Sequence, residues 1–310
     1  MLASVIVPCR NAASTLPRAL EALMAQNLAG EYELIVVDDC SGDGSAEIAR
    51  TTPGVQLISA TGAGPGAARN LGVAASCGAV LAFTDADCFP HHDWLSEGLA
   101  SLGRRALVQG AVQADPAAAL GPFDRTVWVT GESGLYETAN LFVRRSAFDA
   151  VGGFEPWIQP DDGKELAEDV WLGWRIRRSG AETAFSDRAR VDHAVFERTV
   201  RSYLAERKRL RYFPPIVARI PELRHELLFG RYFLSRRSAA FDLAVLALAS
   251  AAALRSAVPL PAALPYIWML LGERRWRTRA PRVIGARVLA DVVGLMALLR
   301  GSLAARSPVL

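Results

Sequence analysis

Ala79-Val-Leu-Ala-Phe-Thr84-Asp85-Ala-Asp87-Cys-Phe-Pro90-His-His-Asp-Trp94-Leu95 is the segment from which the whole chain can be oriented. An apolar run containing Val80 and Phe83 stops abruptly at two carboxylates, and Pro90 closes it soon afterwards. Alternate residues of an extended chain point to opposite faces, which predicts a buried strand with Asp85 and Asp87 together at its C-terminal edge. Open α/β sheets bind ligands at that edge. Neighbouring carboxylates repel unless a cation or donors sit beside them. Oxygen ligands of this kind suit Mg²⁺ or Mn²⁺ shared with phosphates. Asp is equally a turn and helix-capping residue, so the pair gains meaning only from its surroundings.

Upstream the pattern recurs. Leu2-Ala-Ser-Val-Ile-Val-Pro8 suits a buried parallel strand, and a Cys9-Arg10-Asn11 loop follows it. Ser14 or Thr15 then caps a helix with Pro17 in its first turn and apolar residues at 16, 19, 20 and 23. Glu33-Leu-Ile-Val-Val-Asp38-Asp39 is a second strand ending in carboxylates. A helix is expected from Ala46 to Arg50 and a third strand from Val55 to Ser59, after which Pro65 to Ala75 leads as a loop into a third helix. Strands and helices alternating with short loops predict a mostly parallel sheet covered on both faces. Polar groups collect at three strand ends, 9–11, 38–39 and 85–87, and mark a site there.

Gly62-Ala-Gly64-Pro-Gly66-Ala-Ala-Arg69-Asn70 imitates a dinucleotide fingerprint, with an acid, Asp85, about twenty residues further on. It follows the third strand instead of the first, its third glycine position is Ala67, and its acid is paired. A tight turn with close helix–sheet packing explains it better, and a nucleotide-dependent oxidoreductase is the alternative it supports. Arg69 in a first helical turn opposes the macrodipole and suits a ligand phosphate. Ala106–Gln109 and Ala111–Gln113 continue the sheet, and residues 157–167 form a polar loop. Glu168-Asp169 then open a helix that ends in Arg175, Arg177 and Arg178 before Gly180, for which dipole matching alone is a sufficient account.

The 310 residues carry 35 Lys and Arg against 32 Asp and Glu, and a net charge of +3 gives no argument for nucleic acid. Cysteines at 9, 40, 77 and 88 show no metal-ligand spacing and read as small buried residues of a reducing compartment. Met1 runs into an apolar strand without a signal-peptide pattern. Hydrophobic residues make up 51% of the chain and concentrate between 239 and 299. A basic helix over 198–211 precedes two apolar halves, Phe241–Leu254 and Ser256–Leu271, each shorter than the roughly twenty residues of a straight bilayer span. Arg236 and Arg237 before them, and Arg274, Arg275, Arg277 and Arg279 after them, put both ends on the cytoplasmic side. A helical hairpin dipping into the bilayer is expected, with a crossing pair or a helical bundle in water as alternatives. Val283–Leu299 is a third apolar segment in which Arg287 and Asp291 are spaced to pair. The division expected is a catalytic domain over 1–230 and hydrophobic, membrane-associated helices over 231–310.

Ser4-Val-Ile-Val-Pro8, Val37-Asp-Asp39, Gly64-Pro-Gly-Ala-Ala-Arg69-Asn70, Thr84-Asp-Ala-Asp87 with Pro90 and Trp94-Leu95, Thr138-Ala-Asn140 with Val151-Gly-Gly-Phe154, and Glu168-Asp169 together resemble the family 2 glycosyltransferases over roughly residues 2–195. The resemblance implies the glycosyltransferase-A fold, α/β and Rossmann-like, followed here by a hydrophobic helical region. It implies inverting transfer of a sugar from a UDP- or GDP-linked donor to a hydroxyl, assisted by Mn²⁺ or Mg²⁺. Asp39 would hold the base or ribose, with Pro8 and Asn11 lining that pocket. Arg69 would approach the diphosphate, Asp85 the nucleotide, and Asp87 the metal. His193 would add a metal or phosphate contact, and is otherwise an ordinary strand-end histidine. Asp169 would deprotonate the acceptor hydroxyl, with Glu168 beside it. One base and direct displacement give inversion.

Trp171 stands where the family often places another acid. The Q-x-x-R-W motif of processive synthases is missing, so a single sugar addition is expected, to a lipid-linked or membrane-proximal acceptor at the cytoplasmic face. The remaining alternative is a catalytically silent protein of the same fold, against which the intact Asp85, Asp87 and Asp169 speak.

Overall fold

The computed structural model describes residues 1–158, 160, 165–272 and 281–310. Part of the polar 157–167 loop, and Arg274, Arg275, Arg277 and Arg279, lie outside the described residues. The chain divides into two compact units, Met1–Ala119 with Thr126–Phe196, and Leu120–Arg125 with Glu197–Leu310.

The first unit runs β1 (Ala3–Cys9), α1 (Leu16–Met24), β2 (Tyr32–Asp38), α2 (Ser45–Thr51), β3 (Val55–Ser59), α3 (Pro65–Ala74), β4 (Val80–Thr84), β5 (Cys88–Pro90), α4 (Trp94–Leu102), β6 (Leu107–Ala114), β7 (Asn140–Arg144), α5 (Arg145–Ala150), α6 (Glu168–Arg178) and β8 (Thr183–His193). Its strands form one sheet in the order β3-β2-β1-β4-β7-β6-β8-β5. The first four pair in parallel, as alternation with helices requires. β6 also pairs with β8 in parallel, as a mostly parallel sheet requires, while β7 enters antiparallel to both β4 and β6 and β5 antiparallel to β8. A buried apolar run reads the same in either direction, which is why the sequence is silent on that reversal.

Three local expectations change. β4 stops at Thr84, and Asp85 to Asp87 form a turn closed by the Cys88 amide donating to the Asp85 carbonyl at 3.1 Å. The two carboxylates therefore escape strand alternation and diverge. α3 begins at Pro65, immediately after Gly64 in a left-handed conformation, and Arg69 lies in its second turn. Cys9 and Cys88 are buried, but Cys40 and Cys77 are exposed.

Small residues let the layers close. A Cβ at Gly72 of α3 would come within 2.6 Å of Ile6, and one at Gly98 of α4 would overlap the Phe142 ring. Phe83 of β4 packs against Phe148 and Phe154, with ring centroids 5.9 and 5.2 Å away.

In the second unit, α7 (Val200–Arg207) and a 3₁₀ turn over Lys208–Tyr212 carry the basic segment. Then come α8 (Phe213–Arg219), α9 (Leu223–Glu226), α10 (Arg236–Leu254), α11 (Leu264–Gly272) and α12 (Pro281–Ala305). The Ser235/Ser238 capping box starts α10 five residues before the apolar run. Its 19 residues reach about 28 Å, so this half is longer than expected. Asp291 accepts from Arg237 at 2.8 Å and from the Tyr266 hydroxyl at 2.6 Å. α10 and α12 are both long and apolar enough to cross a bilayer, and only 22% of each apolar window is buried.

Candidate active site

The ends of β1 and β2 build the first wall. The Asp39 amide donates to the Cys9 carbonyl at 2.7 Å, holding the two strand ends together. Asn11, with φ of 53°, accepts from the Gly42 amide at 2.8 Å, and its own amide donates to Ser41 Oγ at 2.9 Å. Asn tolerates that left-handed backbone because its side chain bonds locally. Asp39 is 3% exposed, and its Oδ2 accepts from the Gly64 amide at 3.1 Å. Its Oδ1 is buried with no hydrogen-bond partner. Leaving such an atom unmet costs about 1–3 kcal/mol, so the position is one a ligand N–H or O–H would relieve.

Next to this wall lies an ion triad in which Arg69 and Glu168 are buried and Asp85 is partly exposed. Arg69, 4% exposed, donates to Asp85 at 2.8 Å and to Glu168 at 3.0 Å. Burial opposes its charge, but Asp85 and Glu168 more than restore it and raise its pKa. Arg69, expected at a diphosphate, spends two of its nitrogens locking the Asp85 turn to the start of α6. Glu168, expected on the acceptor side, is the partner in that lock.

Asp169, the next residue, is held differently. Burial pushes its pKa well above the ordinary carboxylate range. Repulsion from Glu168 adds to the shift, Arg69 opposes it, and Glu137 adds again. A carboxylate raised toward neutrality is suited to take a proton from a hydroxyl. Glu137 is raised by its own burial, and its Oε2 has no partner. Glu165 accepts from the Gly66 amide at 3.0 Å at the start of α3, while its Oε1 is buried and unpartnered. A Cβ at Gly64 or Gly66 would crowd that carboxylate, at 3.1 and 3.0 Å. The glycines thus admit an acid, and a dinucleotide pyrophosphate would have to displace it.

Asp87, on the far side of the turn, meets the end of β8. Its Oδ1 is 3.6 Å from His193 Nε2 and 4.0 Å from Cys88 Sγ. His193 is 2% exposed, and its Nδ1 lies 2.7 Å from the Ala194 carbonyl. A carbonyl only accepts, so Nδ1 carries the hydrogen and Nε2 of the neutral ring offers a lone pair toward Asp87. Two acceptors facing one another at this distance fit a divalent cation between them. The donor set therefore suits the metal that the resemblance implies.

The remaining motif residues are braces. Asn70 donates to the Phe154 carbonyl at 2.8 Å and accepts from its amide at 2.9 Å, and a Cβ on Gly153 would press on Asn70 at 2.8 Å. Asn140 accepts from the Trp94 indole at 2.8 Å and donates to the carbonyls of Ala111 and Ala189. The structure thus brings Arg69, Asp85, Glu168 and Asp169 together, sets Asp39 on the adjoining wall with Pro8 and Asn11 at its loop, and pairs Asp87 with His193. Sequence reasoning missed Glu137, Glu165 and Cys88. Cys88 directly follows Asp87, but its partner His193 lies too far along the chain for a spacing rule to find.

Strand-end carboxylates around a Rossmann-like sheet, with one acid held above its ordinary pKa, fit the glycosyltransferase class of the A fold. Residues 4–154 match the model of glycosyl transferase family 2. The chain is 36% identical over 167 residues to the glycosyltransferase AglE of Haloferax volcanii, a match covering 49% of this chain and 55% of that protein. It is 30% identical over 212 residues to the pre-mycofactocin glycosyltransferase of Mycobacterium tuberculosis, covering 61% and 42%. The chain spans about half the length of the curated relatives it matches. In fold it is similar to the mannosyltransferase PcManGT of Pyrobaculum calidifontis, solved with GDP-Man and Mn²⁺. The TM-score is 0.65 at 22% identity, over 94% of this chain and 86% of that one. A fold likeness also exists to S. aureus TarS 1–349 in complex with UDP-GlcNAc, with a TM-score of 0.52 at 16% identity, over 99% and 93%.

Proposed function

We propose that the protein is an inverting, non-processive glycosyltransferase that moves a sugar from a UDP- or GDP-linked donor to an acceptor hydroxyl at the cytoplasmic face of a membrane. The observation that carries this reading is Asp169, a half-buried carboxylate held above its ordinary pKa beside a locked ion triad. Asp169 takes the proton of the acceptor hydroxyl as that oxygen bonds to the anomeric carbon. The carbon–oxygen bond to the diphosphate breaks on the opposite side, and the nucleoside diphosphate leaves with the electron pair. Asp39 receives the base or ribose through its unmet Oδ1, with Pro8 and Asn11 at the same loop. Arg69 and Glu168 position Asp85 and Asp169. Asp87 and His193 would hold Mn²⁺ or Mg²⁺, whose charge stabilises the leaving diphosphate.

The membrane part of the proposal rests on the second unit. Leu246, Leu254, Trp268 and Leu303 are all more than half exposed on its apolar helices, which a helix packed as a soluble core would not leave open. Free thiols at all four cysteines agree with a cytosolic catalytic unit. A thermal-shift series with UDP, GDP and their sugars, with and without Mn²⁺, tests donor binding. Asp169→Asn is expected to keep that shift and to lower transfer at least a hundredfold. Retained turnover removes the base from Asp169, and an α-linked product from an α-linked donor removes inversion.

A further inference from the structure

Cys88 stands unused by the mechanism, yet it completes a cluster. Asp87, Cys88 and His193 each offer one donor atom, and the three atoms lie within 4.8 Å of one another. We propose that this cluster is an oxygen, sulfur and nitrogen site for a thiophilic divalent cation, taking Zn²⁺ ahead of Mn²⁺ with Cys88 as a direct ligand. The proposal rests on the reading that Asp87 and His193 hold the cation of the transfer reaction, and adds to it which cation the site prefers.

Geometry and donor chemistry both support it. Zinc–ligand bonds of about 2.0–2.3 Å place neighbouring donors of a tetrahedral site about 3.3–3.6 Å apart. The observed edges from Asp87 Oδ1 are 3.6 Å to His193 Nε2 and 4.0 Å to Cys88 Sγ, and the remaining edge is within 4.8 Å, so the three donors draw together onto the ion as it binds. Octahedral Mg²⁺, at about 2.0–2.1 Å from its ligands, demands edges near 3 Å and has no use for sulfur. The Ala194 carbonyl fixes the imidazole with its free nitrogen toward the site, the arrangement that a metal-bound histidine needs. Thr126 Oγ1, 3.3 Å from the same Nδ1, adds a second restraint on the ring. Cys88 is wholly buried, while Asp87 is partly open, so a cation enters past the carboxylate. On binding, a metal–sulfur bond forms and the thiol proton leaves to buffer. Three protein ligands leave a fourth tetrahedral position open, as catalytic zinc sites do. Zinc held here displaces Mn²⁺ from the donor site, so the transfer reaction is zinc-inhibited.

The test uses the full chain in detergent, stripped of metal. Stoichiometric Co²⁺ is expected to give a thiolate-to-cobalt charge-transfer band and the intense visible bands of four-coordinate cobalt, both bleached by one equivalent of Zn²⁺. Cys88→Ser loses the charge-transfer band. If that variant does not fold, zinc X-ray absorption of the wild type reads the same point, as a sulfur neighbour at about 2.3 Å. Mn²⁺ binding is followed separately through loss of the free-ion resonance, which Asp87→Asn abolishes. Mn²⁺ bound but cobalt six-coordinate without a thiolate band overturns the role of Cys88 and leaves the underlying reading standing. If the wild type binds neither ion, the cation reading fails with it.

Discussion

Asp169 and Glu137 show how much of the chemistry rests on single side chains. On the proposed reading Asp169 must be ionised to accept a proton, and burial together with Glu168 and Glu137 holds its pKa up. The folded protein therefore keeps that proton more tightly than the unfolded chain. This group favours folding as pH falls through its raised pKa and disfavours it as pH rises, while activity runs the other way. Glu137→Gln removes one like charge, so Asp169 should ionise more readily. The acid limb of the kcat–pH profile is expected to move to lower pH. An unmoved limb, with kcat otherwise intact, would mean that Glu137 carries no charge when Asp169 ionises.

Among the elements, close approach explains more than propensity does. α4 lies against β7 because Gly98 leaves room for the Phe142 ring. Gly98→Ala adds one methyl to a filled space and is expected to cost about 1–3 kcal/mol in chemical denaturation. Gly42→Ala is the matched control, since a Cβ there meets nothing within 4 Å, and it should change stability by less than about 0.5 kcal/mol. Equal effects would show that the Phe142 ring does not set the requirement at Gly98. The Asn70–Phe154 and Asn140–Trp94 brackets belong to the same scale. Each is a polar side chain tying two elements that the sequence separates by dozens of residues.

At the scale of the whole molecule, the proposed function gives the apolar helices of the second unit the task of setting where catalysis takes place. On the proposed reading, the full chain floats with phospholipid vesicles. Leu246→Arg, near the middle of α10, costs about 2.5–3.5 kcal/mol of insertion and weakens vesicle binding roughly a hundredfold. A helix bundle in water would tolerate an arginine at that exposed position almost unchanged. Undiminished flotation of this variant would therefore count against insertion of α10.

The first four strands, the helices between them and the carboxylates at their ends were readable in the chain itself. Hydrophobic period and Gly or Pro punctuation act over a few residues, so Val5–Val7, Leu34–Asp38 and Leu81–Phe83 announce themselves locally. Glu168-Asp169 likewise declared a helix start. The antiparallel entry of β7, the divergence of Asp85 from Asp87, the capture of Arg69 between two acids and the meeting of Cys88 with His193 were settled only in three dimensions. Each depends on a partner roughly 15 to 105 residues away, and a pairing at that range is fixed by packing and charge compensation, to which local sequence pattern is blind.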